Sequence, residues 1–323
     1  MSRPFRLATY NLENLDDGPA LEARIARLKP ALLRLDADVL CLQEVHGQPS
    51  TRHKDRTLAA LDRLLAGTPY ADFARAHTAG GHGPFDVHNL VTLSRFPIRA
   101  IRQVKHDLVP APSHRLRADA EAVRVEWDRP FLHTEHALGE GRTLHVFNLH
   151  LRAARATPFP GARRGDGAWA ETADWAQGFY LAAMKRAGQA LEARLAVDAV
   201  FDAEPRALLA VCGDLNAGLA EAPVRTLLAR EEETGNPALA GRALVPLEAD
   251  VPAARRFTVR HDGRRVLLDH ILASRALLAS FEAAEIHNED LADEVADEDD
   301  GAAALGSFHA PVLARFRAED GAR

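Results

Sequence analysis

The segment Leu208-Leu-Ala-Val-Cys-Gly-Asp214-Leu-Asn216-Ala decides how this chain is interpreted. Its apolar run, ended by Gly213, is typical of a buried strand. An acid and an amide that follow such a strand directly lie where a sheet meets solvent. Taken alone, Asp-Leu-Asn after a strand is often only an Asx turn. Its meaning therefore depends on whether other segments repeat the pattern.

Four further parts of the chain repeat it. They are Leu7-Ala-Thr-Tyr-Asn11-Leu-Glu13-Asn14, Asp38-Val-Leu-Cys-Leu-Gln-Glu44, Leu144-His-Val-Phe-Asn148-Leu-His150-Leu, and Arg265-Val-Leu-Leu-Asp269-His270-Ile combined with Gly306-Ser-Phe-His309-Ala-Pro311-Val. In each we expect a polar or acidic residue at the carboxyl end of an apolar strand, where sheet enzymes gather their active sites. Each segment alone is a weak motif, since a histidine among apolar residues is usually a hydrogen-bonded core residue.

Hydrophobic periodicity predicts a mixed α/β chain. Strands are expected near residues 5–12, 38–44, 87–94, 121–127, 143–150, 206–213, 255–260, 265–272 and 310–316. One helix is expected from Leu21 to Leu35, kinked or interrupted at Pro30. A second is expected over Leu58–Leu65, with Thr57 as its N-cap and Gly67 as its end, and a third over 171–196.

Strands and helices alternate along the whole chain, which favours two packed sheets flanked by helices. Residues 152–170, rich in Arg, Gly, Ala and Pro, are expected to form a long loop, and loops of that length are often functional. No Pro/Gly/Ser linker or internal repeat divides the chain. We therefore expect one domain over residues 1–323.

Composition narrows the class of protein. The chain has 323 residues, 47% of them hydrophobic and 27% charged, as in ordinary globular proteins. No apolar run could span a membrane and no secretory signal is evident, so a cytoplasmic protein without membrane attachment is expected. Cys41 and Cys212 lie in apolar runs and are expected to be buried thiols. The net charge of −6 argues against tight, sequence-blind binding of polyanions.

Two charged runs stand out against this background. Eight acidic residues lie between Glu289 and Asp300, and a basic cluster follows His150. The basic residues are Arg152, Arg155, Arg163, Arg164, Lys185 and Arg186. A solvated face explains either run.

Together, the motifs resemble the endonuclease/exonuclease/phosphatase superfamily. The runs N-L-E-N, L-Q-E-V, N-L-H-L, G-D-L-N-A, L-D-H-I and S-x-H-A-P-V follow in that superfamily's order, from Leu7 to Phe316. His88-Asn89-Leu-Val-Thr-Leu-Ser-Arg95-Phe-Pro97-Ile and Arg129-Pro130 also match. The resemblance implies a four-layer α/β sandwich, with two mixed sheets face to face and the active site at one end.

The resemblance also implies roles for single residues in phosphoester hydrolysis, which needs a placed water and neutralised phosphoryl charge. Glu44 matches the carboxylate that holds Mg²⁺ (or Mn²⁺), and Asn11 the amide that supports this metal site. Asp214 matches the residue that deprotonates the attacking water. The other matches are Asn216 as a hydrogen-bond donor to phosphate or metal water, His309 as the imidazole at the phosphoryl oxygen, Asp269 as its orienting partner, and His150 as the leaving-group histidine. Asn89 and Arg129 match positions for which a purely structural role is an equal alternative.

One position departs from the family pattern. Where the family has Asp before the histidine of its last motif, as a second metal carboxylate, this chain has Phe308. The site could hold one carboxylate, could recruit an acid from the Glu289–Asp300 run, or could have degenerated.

The leading hypothesis is an enzyme, a Mg²⁺-dependent hydrolase of phosphodiesters in a nucleic acid or nucleotide. His150-Leu-Arg152-Ala-Ala-Arg155-Ala-Thr resembles bacterial nuclease-like members, and its arginines could hold backbone phosphates. A phosphatase or phosphodiesterase of a small phosphorylated molecule (a sugar, inositol or lipid head group) is an alternative, because 6% aromatic residues and net acidity weaken a stacking platform for single strands. A non-catalytic scaffold that lost its metal ligand at Phe308 is the other alternative. The oligomeric state is left open.

Overall fold

The computed structural model describes residues 4–50, 55–116, 121–296 and 306–317. Its strands are β1 Phe5–Leu15, β2 Val39–Val45, β3 Gln48–Pro49, β4 Arg56–Thr57, β5 Ala74–His77, β6 Asn89–Ser94, β7 Ile98–Val104, β8 Ser113–His114, β9 Val123–Arg124, β10 Phe131–Gly139, β11 Arg142–His150, β12 Leu208–Asp214, β13 Leu244–Pro246, β14 Val259–His261, β15 Arg264–Val266, β16 Asp269–Ser274, β17 Phe281–Ile286 and β18 Val312–Phe316. Its α-helices are α1 Leu21–Leu35, α2 Ala59–Leu65, α3 Thr172–Ala203, α4 Ala222–Leu228, α5 Glu231–Thr234 and α6 Arg275–Leu278.

The two large sheets share one plan. The first has the order β17-β18-β1-β2-β6-β5 and the second the order β13-β16-β12-β11-β10-β7. In each, a central parallel pair, β1 with β2 or β11 with β12, is flanked by antiparallel neighbours. The carboxyl ends of the two parallel pairs therefore give two equivalent edges.

Apolar side chains alternate along these strands and build three large cores and one small one. Between the sheets, Val39 and Cys41 of β2 pack in one cluster with Val146 and Cys212 of the second sheet. The thiols of Cys41 and Cys212 are free, buried and 3.4 Å apart, which agrees with the prediction of buried thiols.

The outer cores lie against helices. α1 and α2 pack on the first sheet, and α3 and α4 pack on the second. The result is the four-layer α/β sandwich that the sequence predicted. Within the described ranges, no helix is long and apolar enough to cross a bilayer.

Several local predictions differ from the structure. The strand expected near 121–127 is only the two-residue β9, and the long strand of that region is the nine-residue β10, which begins at Phe131. The strand expected near 255–260 is the short β14, and that expected near 265–272 divides into β15 and β16.

The helix predictions were closer to the structure. α1 is continuous through Pro30, whose side chain is exposed, so of the predicted kink or interruption the interruption is wrong. Burial of the apolar face of α1 outweighs the lost hydrogen bond. Thr57 is not the N-cap of α2, because it lies in β4; Gln48 accepts the Ala60 N–H instead. α3 begins one residue later than predicted and extends to Ala203.

Candidate active site

The edges of both sheets meet where their parallel pairs end. Glu44 lies near the end of β2 and Asp214 at the end of β12. The Asn11 side-chain Nδ2 lies 3.2 Å from Glu44 Oε1 and 3.1 Å from Asp214 Oδ2. One amide of the first sheet therefore joins carboxylates that are 170 positions apart in sequence and come from different sheets.

Asp269 and His309 reach this edge in a different way from the one predicted. Both were expected at the carboxyl ends of strands, but Asp269 opens β16 and His309 precedes β18. β16 is antiparallel to β12, and β18 is antiparallel to β1. Because an antiparallel strand starts where its neighbour ends, their amino ends lie at the same edge.

His309 and Asp269 form a hydrogen-bonded pair. His309 Nδ1 lies 2.8 Å from Asp269 Oδ2, and His309 Nε2 lies 4.0 Å from Asp214 Oδ2. Burial alone would lower the pKa of His309, but the carboxylates of Asp269 and Asp214 outweigh it and raise that pKa to about 10. His309 is therefore a cation at neutral pH.

Asp214 is buried and held from several sides. Its Oδ1 accepts the backbone N–H of Asn216, and its Oδ2 accepts from the Asn216 side-chain amide at 3.1 Å. Burial, and then the charge of Asp269, raise the pKa of Asp214 to about 7. The Asn216 amide also donates to Leu151 O, so it orients Asp214 in this structure.

His150 lies between the two carboxylates. Its Nε2 is 3.5 Å from both Glu44 Oε1 and Asp214 Oδ2, and the Arg129 guanidinium contacts its Nδ1. Burial and then Arg129 hold the pKa of His150 well below its usual range. A neutral imidazole thus faces the carboxylates, with the partly buried Arg129 cation behind it.

Backbone strain clusters at this edge. Left-handed conformations occur at Glu44 (φ 58°), His88 (φ 56°) and Asn216 (φ 48°), and non-glycine residues adopt them at a cost of about 1–3 kcal/mol. At Gly213, an added Cβ would lie 1.9 Å from Leu149 O, so β11 and β12 require glycine there. Such strain at a cluster of polar side chains is typical of a functional site.

Two residues of the site, His88 and Glu13, lie in motifs quoted from the sequence but were given no role there. His88 Nδ1 lies 3.7 Å from Glu44 Oε2 and, although buried, has no hydrogen-bond partner. Glu13 lines the same cavity and accepts the backbone N–H of Phe308 at 2.7 Å. Only the strand-end position of Glu13 in N-L-E-N could have singled it out.

The donor atoms suit a divalent cation. Glu44, His88 and His150 offer three ligand atoms within 4.8 Å of one another, as do Asp214, Asp269 and His309. Asp269 Oδ1 is buried without a hydrogen-bond partner. The amide oxygen of Asn11 accepts the N–H of Glu13, so in this orientation its Nδ2, and not its oxygen, faces the carboxylates.

The remaining predicted residues lie around the site. The Asn89 amide donates to Val45 O and Phe85 O and accepts from the Phe85 N–H and the Thr78 hydroxyl, which fits its structural alternative. Arg152 is paired with Asp128 and Arg155 with Glu294.

Other basic residues of the cluster also have partners within the chain, although Arg186 Nε and Nη1 are buried without a hydrogen-bond partner. Arg164 is paired with Asp166, Lys185 with Asp128, and Arg186 lies 3.7 Å from Glu221. Arg163 lies over the Trp169 ring.

The carboxylates and histidines of the candidate active site line a cavity of about 650 Å³. Its walls include Phe308, Val259 and Leu268 on one side and Arg152 and Arg155 on the other. From the acidic run, Glu294 lines the cavity but is paired with Arg155 and His261; residues 297–300 lie outside the described ranges. The cavity is large enough for a phosphorylated group with part of its leaving group.

Comparison with known proteins identifies the family of this chain. A model of the Endonuclease/Exonuclease/phosphatase family matches residues 8–293. No curated protein matches the chain in sequence.

Solved structures give the same fold at low identity. Truncated TDP2 of Caenorhabditis elegans is 17% identical, with a TM-score of 0.56 and 98% of each chain covered. The 3′ phosphatase NExo from Neisseria, bound to a product DNA hairpin, is 17% identical, with a TM-score of 0.55, 97% of this chain and 99% of that chain covered. An endonuclease/exonuclease/phosphatase from Bacteroides vulgatus is 15% identical, with a TM-score of 0.56; the match covers 98% of this chain and 99% of that chain.

Proposed function

The chain belongs to the endonuclease/exonuclease/phosphatase family of metal-dependent phosphoric ester hydrolases, and from that premise we propose that it is a Mg²⁺-dependent phosphodiesterase acting on a nucleic acid or nucleotide. The supporting observation is the Asn11 amide, which joins Glu44 and Asp214 at the meeting point of the sheets. We extend the proposal to a single domain over residues 1–323 and a cytoplasmic location, which the buried free thiols favour.

Glu44 is proposed to hold the cation, supported by Asn11. The Glu44 side chain is 14% exposed, so its oxygens are open to the cavity, and Mg²⁺ prefers one or two carboxylates with several waters. A divalent cation at this point would neutralise charge on the phosphoryl oxygens. Mn²⁺ could serve with the same oxygen ligands.

Asp214 is proposed to accept the proton of the attacking water. Its raised pKa, about 7, makes it a better base than an ordinary carboxylate while still leaving it ionised above neutral pH. Asn216 and Asn11 hold its oxygens, which limits the carboxylate to one orientation. That is what an in-line attack requires.

His309 is proposed to stabilise the phosphoryl oxygen as a cation. Asp269 fixes its Nδ1, so Nε2 donates towards the side of the cavity where Asp214 lies. Charge-assisted hydrogen bonds of this kind are about twice as strong as neutral ones. His150, neutral and contacted by Arg129, is assigned to the leaving-group side.

The missing second carboxylate is assigned to Glu13. The backbone N–H of Phe308, at the position where the family has its Asp, donates to Glu13 Oε2. Burial first, with a further contribution from Glu44, raises the pKa of Glu13, as expected for an acid near another acid. Glu294, the alternative from the acidic run, is engaged by Arg155 and His261.

A phosphatase of a small phosphorylated molecule is the second candidate. The observation that favours it is the pairing of Arg152 and Arg155 with Asp128 and Glu294, which leaves less free positive charge for a polynucleotide backbone. The DNA hairpin bound by the Neisseria 3′ phosphatase favours the nucleic-acid alternative.

A substrate panel tests the proposal. Single-stranded DNA, duplex DNA, RNA, a nucleotide diester and sugar or inositol phosphates would be assayed with Mg²⁺, with Asp214→Asn as the inactive control. Cleavage of diesters that exceeds phosphate release from monoesters is expected. Faster hydrolysis of the monoesters would replace the proposal with the second candidate, and no activity of wild type above Asp214→Asn would contradict both.

A further inference from the structure

A second cluster of metal-ligand side chains lies on the other face of the second sheet. His133 and Glu135 belong to β10, and His145 lies on the adjacent β11. In the antiparallel register Glu135 is opposite His145, and His133 is opposite Phe147. Because side chains alternate along strands, these residues share one face, and His145 and His150 point to opposite faces.

The donor atoms of this cluster converge. His133 Nε2 lies 3.1 Å from His145 Nδ1, and one ligand atom from each of the three residues lies within 4.8 Å of the others. Tetrahedral bonds of about 2.0–2.1 Å to nitrogen place two ligands about 3.3 Å apart. The two nitrogens are therefore close to ligand spacing before any ion binds.

Phe147 packs against one of the proposed ligands, and a cavity lies beside the cluster. The His133 ring stacks on Phe147, with centroids 4.1 Å apart, which fixes the ring plane. A cavity of about 310 Å³ lies between the cluster and α3, where Ala196, Ala199 and Ala203 present only small side chains. The histidines are buried, at 5% and 8% exposure, but line this cavity.

The charge around the cluster favours a cation. Glu204 Oε2 lies 3.8 Å from His145 Nε2, and Asp107 lines the same cavity. Arg102 on β7 opposes them with one positive charge. With Glu135, three carboxylates thus face one guanidinium.

We propose that His133, Glu135 and His145 form a second metal site, selective for Zn²⁺ or a similar imidazole-binding divalent ion and separate from the phosphoesterase centre. Imidazole with carboxylate suits Zn²⁺, whereas Mg²⁺ prefers oxygen ligands throughout. His145 is five positions before His150 on the same strand, or about 16 Å at 3.3 Å per residue. A water would complete four ligands.

The test measures Zn²⁺ binding by equilibrium dialysis with elemental analysis. To set the phosphoesterase centre aside, every protein carries Glu44→Gln. Zn²⁺ affinity of this parent is compared with the same chain bearing His145→Gln, Glu135→Gln or, as the control, His82→Gln at an exposed histidine elsewhere. Thermal unfolding without metal checks that each variant is folded.

The parent and the His82→Gln control are expected to bind one equivalent with equal affinity, with Zn²⁺ raising the Tm of both. Both cluster variants should bind it at least about tenfold more weakly, and Co²⁺ in the parent should give visible bands of tetrahedral coordination that the variants lose. If His145→Gln fails to fold, the half-buried Glu135 still decides the question. Equal affinities in all four proteins, or no binding by the parent, would show that the histidines only hydrogen-bond each other.

Discussion

The two sheets place a carboxylate at the same topological position, yet the two carboxylates differ in environment. Glu44, at the end of the first parallel pair, keeps 14% of its side chain exposed, while Asp214, at the end of the second, keeps 2%. Burial and the neighbouring Asp269 raise the pKa of Asp214 to about 7. The same strand arrangement thus places Glu44 where it can bind a cation and Asp214 where it can exchange a proton. The difference between the two acids comes from their burial and their charged neighbours.

The largest effect is expected from removing the two groups assigned to proton transfer and to phosphoryl charge, Asp214 and His309. Asp214→Asn and His309→Gln should each lower kcat by about 10²–10⁴. The double variant should lose far less than the product of the two, because parts of one catalytic unit are not additive. Losses that multiply would mean that the two residues, 4.0 Å apart, act independently.

The pH dependence of turnover sharpens the comparison further. Asp214 must lose its proton to act, so with its pKa at about 7 we expect kcat/KM to rise tenfold per pH unit below that value. Above about pH 10, His309 loses its charge and activity should fall. A bound cation moves the lower limb to lower pH.

Asp269→Asn provides the check on this profile. It removes a charge that raises both pKa values, so both limbs should move to lower pH. Limbs that do not move in the variant would contradict the assignment.

Substitution of Phe308 tests the metal-binding side of the site, with a smaller expected effect. Phe308→Asp should tighten Mn²⁺ binding several-fold by adding a charged ligand, and Glu13→Gln should weaken it. Phe308 is 9% exposed, so a buried carboxylate could cost several kcal/mol; the free energy of unfolding must be measured beside the metal affinity.

Val266→Asp, on the same cavity wall, is the control for added charge. Equal or weaker metal affinity in a folded Phe308→Asp protein would mean that position 308 does not face the ion.

The smallest effect on turnover is expected from a substitution in the core between the two sheets. Gln43 donates to Asn148 Oδ1 at 2.8 Å, which links the two sheets inside the core. Gln43→Met leaves that acceptor unsatisfied and should lower the free energy of unfolding by about 1–3 kcal/mol with kcat nearly unchanged. The exposed Gln103→Met should cost less than about 0.5 kcal/mol in the same denaturant titration.

The sequence was informative wherever the signal was local. Apolar runs ending in polar residues located β1, β2, β11 and β12, and the motif order identified the family. Burial of the two cysteines also followed from their apolar neighbours. Sequence did not predict β10 as a strand, because His133, Glu135 and His136 interrupt its apolar alternation, although cross-strand partners bury both histidines.

The site could be predicted only in part for the same reason. Residue types and spacing pointed to Glu44 and Asp214, but the approach of His88 and Glu13 depends on left-handed turns and tertiary contacts. The amino-end position of Asp269 depends on the antiparallel direction of β16. Strand direction is set by pairing across the sheet, which residue patterns do not encode.

The most direct test of the central claim separates metal binding from turnover. Mn²⁺ affinity and kcat would be measured for Glu44→Gln and Asp214→Asn, each verified as folded. The account predicts that Glu44→Gln weakens Mn²⁺ binding by at least about tenfold, because it removes the open carboxylate. Asp214→Asn should keep Mn²⁺ affinity near that of wild type while losing turnover. Equal loss of metal affinity in both variants, or loss in Asp214→Asn alone, would contradict the division of roles between the two sheets.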